Sequence, residues 1–96
     1  MTAHRFSVRA EVDMADISLD IAVNSAARAE AFYRRMDEIG ELLAQFPGIG
    51  RRHEGFGPGV RAYLVDRRWT VVYDSEAVPL MIHRVLWAGS RIATLA

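Results

Sequence analysis

The side chains with the chemistry to act on a substrate or an anion are three histidines (His4, His53 and His83), the arginines Arg51, Arg52, Arg61 and Arg84, and the aromatic residues Trp69, Tyr73 and Trp87. The histidines lie far apart in sequence and share no ligand spacing, so no metal site is expected. The chain has no cysteine, which removes thiolate clusters, disulfides and a cysteine nucleophile. Strand alternation would put His83 on the same face as Val85 and Trp87 and away from Arg84, and it reads as a partly buried histidine with one hydrogen bond. Arg61 and Arg84 fall on expected strands and could converge on a common anion or acidic partner; solvation, or pairing with Asp66, Asp74 or Glu76, is the alternative. Arg51 and Arg52 read as solvated loop residues. Trp69 and Tyr73, four positions apart on one strand face, read as core aromatics. Trp87 ends the last strand before a polar, small-residue tail, where an exposed aromatic suits a partner.

Charge bounds the function classes. The formal net charge is zero. Residues 1–46 hold five arginines against eight acids, and residues 47–96 hold seven against four. Every cationic side chain is arginine, so any anion would be met by guanidinium forks. A neutral total argues against tight, nonspecific nucleic-acid binding, and no sequence-specific nucleic-acid contact is expected. The first twenty residues carry Arg5, Arg9, Glu11, Asp13, Asp16 and Asp20 instead of a signal-peptide core, and apolar runs stay short. The expected location is cytoplasmic, with no membrane contact, and a single domain over 1–96 fits the length.

Positioning these residues falls to two helices and a few strands. Ala10, Met14, Ile17 and Ile21 recur at four, three and four residues behind Ser7 as N-cap, predicting a helix over 8–23. Ile17, Leu19, Ile21 and Val23 also alternate as a strand would. Ala29, Phe32, Met36, Ile39, Leu43 and Phe46 form a second helical stripe behind Asn24 or Ser25, ended by Pro47, Gly48 and Gly50. The short break makes an antiparallel helical hairpin. Gly55 to Gly59 reads as a loop. From Val60 the period becomes two: Val60–Val65 and Trp69–Tyr73 form a hairpin turning at Asp66–Arg68, and Leu80–Trp87 forms a third strand. With a short strand around His4–Ser7, the fold class is α+β: the hairpin packed on a small antiparallel β-sheet of three to four strands.

The same residues resemble a known family. Ser7-x-x-Ala10-x-x-Asp13-Met14-x-x-Ile17 is similar to the opening helix signature of the ParE branch of the ParE/RelE superfamily, with Met14 in place of leucine. Leu42-Leu43-x-x-Phe46-Pro47-x-x-Gly50-Arg51 resembles the end of its second helix, Gly59-x-Arg61 with Tyr73 its first hairpin, and Ile82-His83-Arg84-Val85-Leu86-Trp87 its closing strand. The resemblance spans residues 5 to 92. Trp87 stands where histidine is common, and Arg91 is followed by Ile92 where aspartate is usual.

That resemblance implies the toxin of a type II toxin-antitoxin pair that inhibits DNA gyrase without catalysis or cofactor and is neutralised by a cognate ParD-like antitoxin in a hetero-oligomer. Met14, Ile17, Ile21, Phe32 and Tyr73 are the positions it points to for antitoxin contact, and Arg61, Arg84, Trp87 and Arg91 for target contact. RelE-like relatives are instead ribosome-dependent mRNA endoribonucleases, which draw on lysine and arginine with a late tyrosine or histidine; no tyrosine or histidine follows Trp87. A degenerate member that keeps only antitoxin binding is the third alternative.

Overall fold

Ser7 and Ser25 start the two helices as their residue type dictates. In the computed structural model, which describes residues 3–90, the Ser7 hydroxyl accepts from the Ala10 amide at 3.0 Å and the Ser25 hydroxyl from that of Arg28 at 3.1 Å. Each cap satisfies a donor that the first helical turn leaves unpaired. The helices they open are α1 (Val8–Ala22) and α2 (Ala26–Gln45). On α1, Ala10, Met14 and Ile17 are buried while Leu19 and Val23 are exposed, so the helical period prevails over the strand-like alternation. On α2, Phe32, Met36, Ile39 and Leu43 are buried. Phe46 leaves the helical conformation (φ −130°, ψ 70°) and is 55% exposed, so the expected stripe stops one turn early.

The strands are β1 (His4–Phe6), β2 (Arg51–Arg52), β3 (Val60–Val65), β4 (Trp69–Asp74) and β5 (Leu80–Trp87), with 3-10 turns at Pro47–Ile49 and Glu54–Phe56. They form one five-stranded sheet in the order β1-β5-β4-β3-β2. Two features correct the expected all-antiparallel sheet of three to four strands. β1 pairs parallel to β5, His4 opposite Leu80, with the helical hairpin and strands β2, β3 and β4 lying between them in sequence. Arg51 and Arg52 are strand residues opposite Ala62 and Arg61, in a segment too short to show a period.

The β3–β4 hairpin turns on Asp66 and Arg67, both at positive φ (51° and 58°), with the Arg68 amide donating to Val65 at 2.9 Å. Val65 pairs with Trp69, so Asp66–Arg68 form a three-residue loop whose first two residues take the left-handed conformation. Val65, Trp69, Val71 and Tyr73 join the core, and Leu64 points outward at 55% exposure. Along β5 the inward residues are Leu80, Ile82 and then Val85, because Val72 pairs with Arg84 and Tyr73 with Ile82. His83 is the extra residue of a β-bulge. It is exposed, which corrects both its expected burial and its expected alignment with Val85. Among the described residues, no helix is long and apolar enough to cross a membrane.

Candidate functional site

Two arginines of the expected target surface, Arg61 and Arg84, are held by the protein itself. Arg84 donates from Nε and Nη2 to the two carboxylate oxygens of Asp13 at 2.7 and 3.0 Å, and the Val85 amide donates to the same carboxylate at 3.0 Å. Both side chains are mostly buried, at 17% and 12% exposure. The hydrogen bonds and charge of Asp13 outweigh burial and hold the Arg84 guanidinium above its usual pKa. A planar fork on a carboxylate is among the stronger charge-assisted contacts. Asp13 lies on α1, and the 71-residue separation left no local signal of the pair.

Arg61 is held elsewhere. Its Nη1 donates to the carbonyls of Gly48 and Gly50 at 3.3 and 2.9 Å. Beside it the Tyr73 hydroxyl donates to the Pro47 carbonyl at 2.6 Å and accepts from the Gly50 amide at 3.0 Å. Arg61 stands opposite Tyr73, whereas Arg84 shares its row with Val72, so alternation puts the two arginines on opposite faces. They are not brought together, and neither takes the acids first considered. Asp66 accepts two hydrogen bonds from Arg35 at 2.9 Å each, which draw its carboxyl below the usual pKa, and Asp74 accepts from the Glu76 amide at 2.9 Å.

Four of the five positions expected to meet an antitoxin are core residues. Met14, Ile17, Phe32 and Tyr73 are at most 5% exposed, covered by the chain's own side chains. Met14, Ile17 and Phe32 lie on the inward helical stripes that sequence periodicity detects most easily, the face the helices turn toward their own sheet, and Tyr73 lies on β4. Ile21 is only partly covered.

Ile21 instead lines a groove of about 870 Å³ with Phe32, Trp69 and Trp87. The Trp69 ring lies 5.1 Å from Phe32 and 6.1 Å from Trp87, making an aromatic wall. Trp87 is 42% exposed, in keeping with its reading as a surface aromatic, while the Trp69 indole nitrogen is buried without a hydrogen-bond partner. Arg28, Arg34 and Arg68 stand around this wall. Arg91 lies outside the described residues.

The histidines do not converge. His4 is buried between Asp37, 3.4 Å from Nε2, and Glu41, 3.3 Å from Nδ1, so its carboxylates sit on opposite ring nitrogens. His53 stacks on Phe56 with ring centres 4.9 Å apart. Among the described residues, no group of three or more His, Cys, Asp or Glu side chains could hold a metal ion.

Known proteins place this architecture. Eight chains of solved structures match it. One, from the chromosomal ParDE TA system from P. aeruginosa, has a TM-score of 0.74 and 22% sequence identity over 92% of this chain and 97% of that one. At that identity the likeness speaks for the fold. Comparison with curated protein sequences gives no match. The family model described as the ParE toxin of the type II toxin-antitoxin system, parDE, matches residues 4–87. That span takes in both helices and all five strands, and the chain therefore belongs to the ParE toxin family.

Proposed function

We propose that this ParE-family chain inhibits DNA gyrase by binding it, without a catalytic step, and that a cognate ParD-like antitoxin neutralises it in a cytoplasmic hetero-oligomer. The observation that carries the reading is the commitment of Arg61 and Arg84. Cleavage of RNA by its own 2′-OH needs cations free to stabilise the phosphorane. Arg84 gives its fork to Asp13, and Arg61 gives its Nη1 to two backbone carbonyls. Trp87, half-exposed at the end of β5, is the contact residue this reading favours, with Arg91 beyond it in sequence.

One observation favours the ribonuclease alternative: exposed His83 borders a groove of about 550 Å³ with Ser7, Arg9 and Arg84. A paired assay separates the two. Antitoxin-free protein is expected to block supercoiling by purified gyrase and to leave ribosome-bound mRNA intact. Cleavage of that mRNA, lost in His83→Ala, would overturn the gyrase reading.

A further inference from the structure

Three arginines that the fold leaves unused stand around the aromatic groove. Arg28 and Arg34 on α2 and Arg68 after the left-handed pair of the β3–β4 turn are all exposed. Among the described residues, the Arg28 and Arg34 guanidinium groups have no ion pair or hydrogen bond, and that of Arg68 meets only the charge of Asp66. The acids of the same rim are largely spoken for. Arg35 donates twice to Asp66 and once to Glu38, which leaves Asp20, among the described residues lining the groove, to offset three guanidinium groups. The floor between them is apolar, formed by Ile21, Phe32, Trp69 and Trp87. Trp87 still shows 42% of its surface, and an exposed tryptophan ringed by arginines is the residue set of a binding hot spot.

Rim and floor together select the occupant. A second copy would set arginine against arginine, which opposes self-pairing. A nucleic-acid backbone carries unbroken negative charge, whereas Asp20 interrupts this rim and the chain has no net positive charge to draw a polyanion. Carboxylates spaced around an apolar side chain satisfy both parts: guanidinium forks take the carboxylates, and the stacked rings take the apolar anchor. We infer that gyrase docks an acidic segment with an apolar anchor in this groove between α2 and the β3–β4 turn. This rests on the gyrase reading above and adds Arg28, Arg34 and Arg68 to Trp87 as target contacts.

The test measures inhibition of purified gyrase by the full antitoxin-free chain, with circular dichroism and melting as folding controls. Arg28→Glu with Arg34→Glu is expected to raise the half-inhibitory concentration about tenfold and to flatten its dependence on salt, with melting close to that of the unaltered chain. Arg28→Lys with Arg34→Lys, which keeps the charge, is expected to stay within about threefold. Hydrogen exchange of gyrase with and without the chain should protect a segment carrying several carboxylates around an apolar residue. Undiminished inhibition by the glutamate variant, or protection confined to basic or uncharged surface, overturns the inference while leaving gyrase inhibition in place. Binding of the unaltered chain alone to a labelled DNA duplex, lost in the glutamate variant, assigns the groove to nucleic acid and overturns it as well. Failure of the unaltered chain to inhibit gyrase would overturn the gyrase reading and the inference with it.

Discussion

Tyr73 has no exposed surface, and its hydroxyl serves as donor to Pro47 and acceptor from Gly50, fastening the segment after α2 to the centre of the sheet. Tyr73→Phe keeps the ring and removes both bonds. The Gly50 amide, buried where it makes that bond, is then left without its acceptor. An unsatisfied buried donor costs about 1–3 kcal/mol, and the less enclosed Pro47 carbonyl adds about 1 kcal/mol. The expected loss is about 2–4 kcal/mol, a large part of the roughly 5–14 kcal/mol available to a chain of this size. Melting should fall by roughly 10–25 °C. Urea and thermal unfolding of the two proteins measure it, and a loss below about 1 kcal/mol would refute the assignment of both bonds to the hydroxyl.

The same residue sets an alkaline limit. Burial pushes the Tyr73 phenol above its ordinary pKa of 10.0, against the Gly50 amide and Arg61, which favour the phenolate. The unfolded chain therefore ionises first as pH rises through about 10, and the stability gained by keeping the phenol neutral is present below that pH and lost as pH climbs toward the folded value. The unaltered protein should lose stability above about pH 10 more steeply than Tyr73→Phe. Parallel slopes would contradict the burial argument.

Asp13→Ala strands Arg84 and the Val85 amide together, and chemical denaturation should show a loss of about 3 kcal/mol, the lower end for breaking a buried pair. Arg67→Gly relieves a left-handed residue at φ 58° in the β3–β4 turn and should raise stability by about 1 kcal/mol in the same assay. Gly40→Ala would place a methyl 2.2 Å from the His4 ring, so a melting curve should show a loss of about 1–3 kcal/mol from overpacking. Trp87→Ala with Arg91→Ala is expected to abolish growth inhibition while costing about 1–2 kcal/mol, since Trp87, 42% exposed, gives up its ring contact with Trp69 and the surface it covers beside it. A much larger loss in that double variant would make Trp87 a structural residue.

What could be read from the chain depended on how far apart the interacting residues were. Both helices, their serine caps and the β3–β4 hairpin follow from neighbours within a turn or two, and their inward residues were legible from the period. The parallel pairing of β1 with β5 joins residues on either side of the whole helical hairpin, which no local pattern announces. The bulge at His83 was illegible for another reason. No glycine marks it, and one added residue shifts every later side chain relative to simple alternation. Met14, Ile17 and Phe32, to which the family resemblance points for antitoxin contact, lie on the helical stripes that periodicity makes most legible, and those stripes face the chain's own core. Val8, Val12 and Leu19 are legible as apolar residues, but only the burial of Ala10, Met14 and Ile17 on the other side of α1 shows that they face outward.

The edge of β5 beyond β1 has a bearing on self-assembly. β1 accompanies β5 only as far as Ile82, and among the described residues no strand pairs with that side over the remaining five residues. Such a margin offers donors and acceptors on which identical chains can stack into fibrils. Here Ser7 donates to the carbonyls of Ile82 and His83, Asp13 accepts from Val85, and the Ser90 amide donates to Trp87. The Asp13 carboxylate also sets a negative charge where a neighbouring strand would have to place its backbone. A carboxylate at such a margin disfavours strand addition, so Asp13→Ala should seed aggregation more readily than its loss of stability alone accounts for.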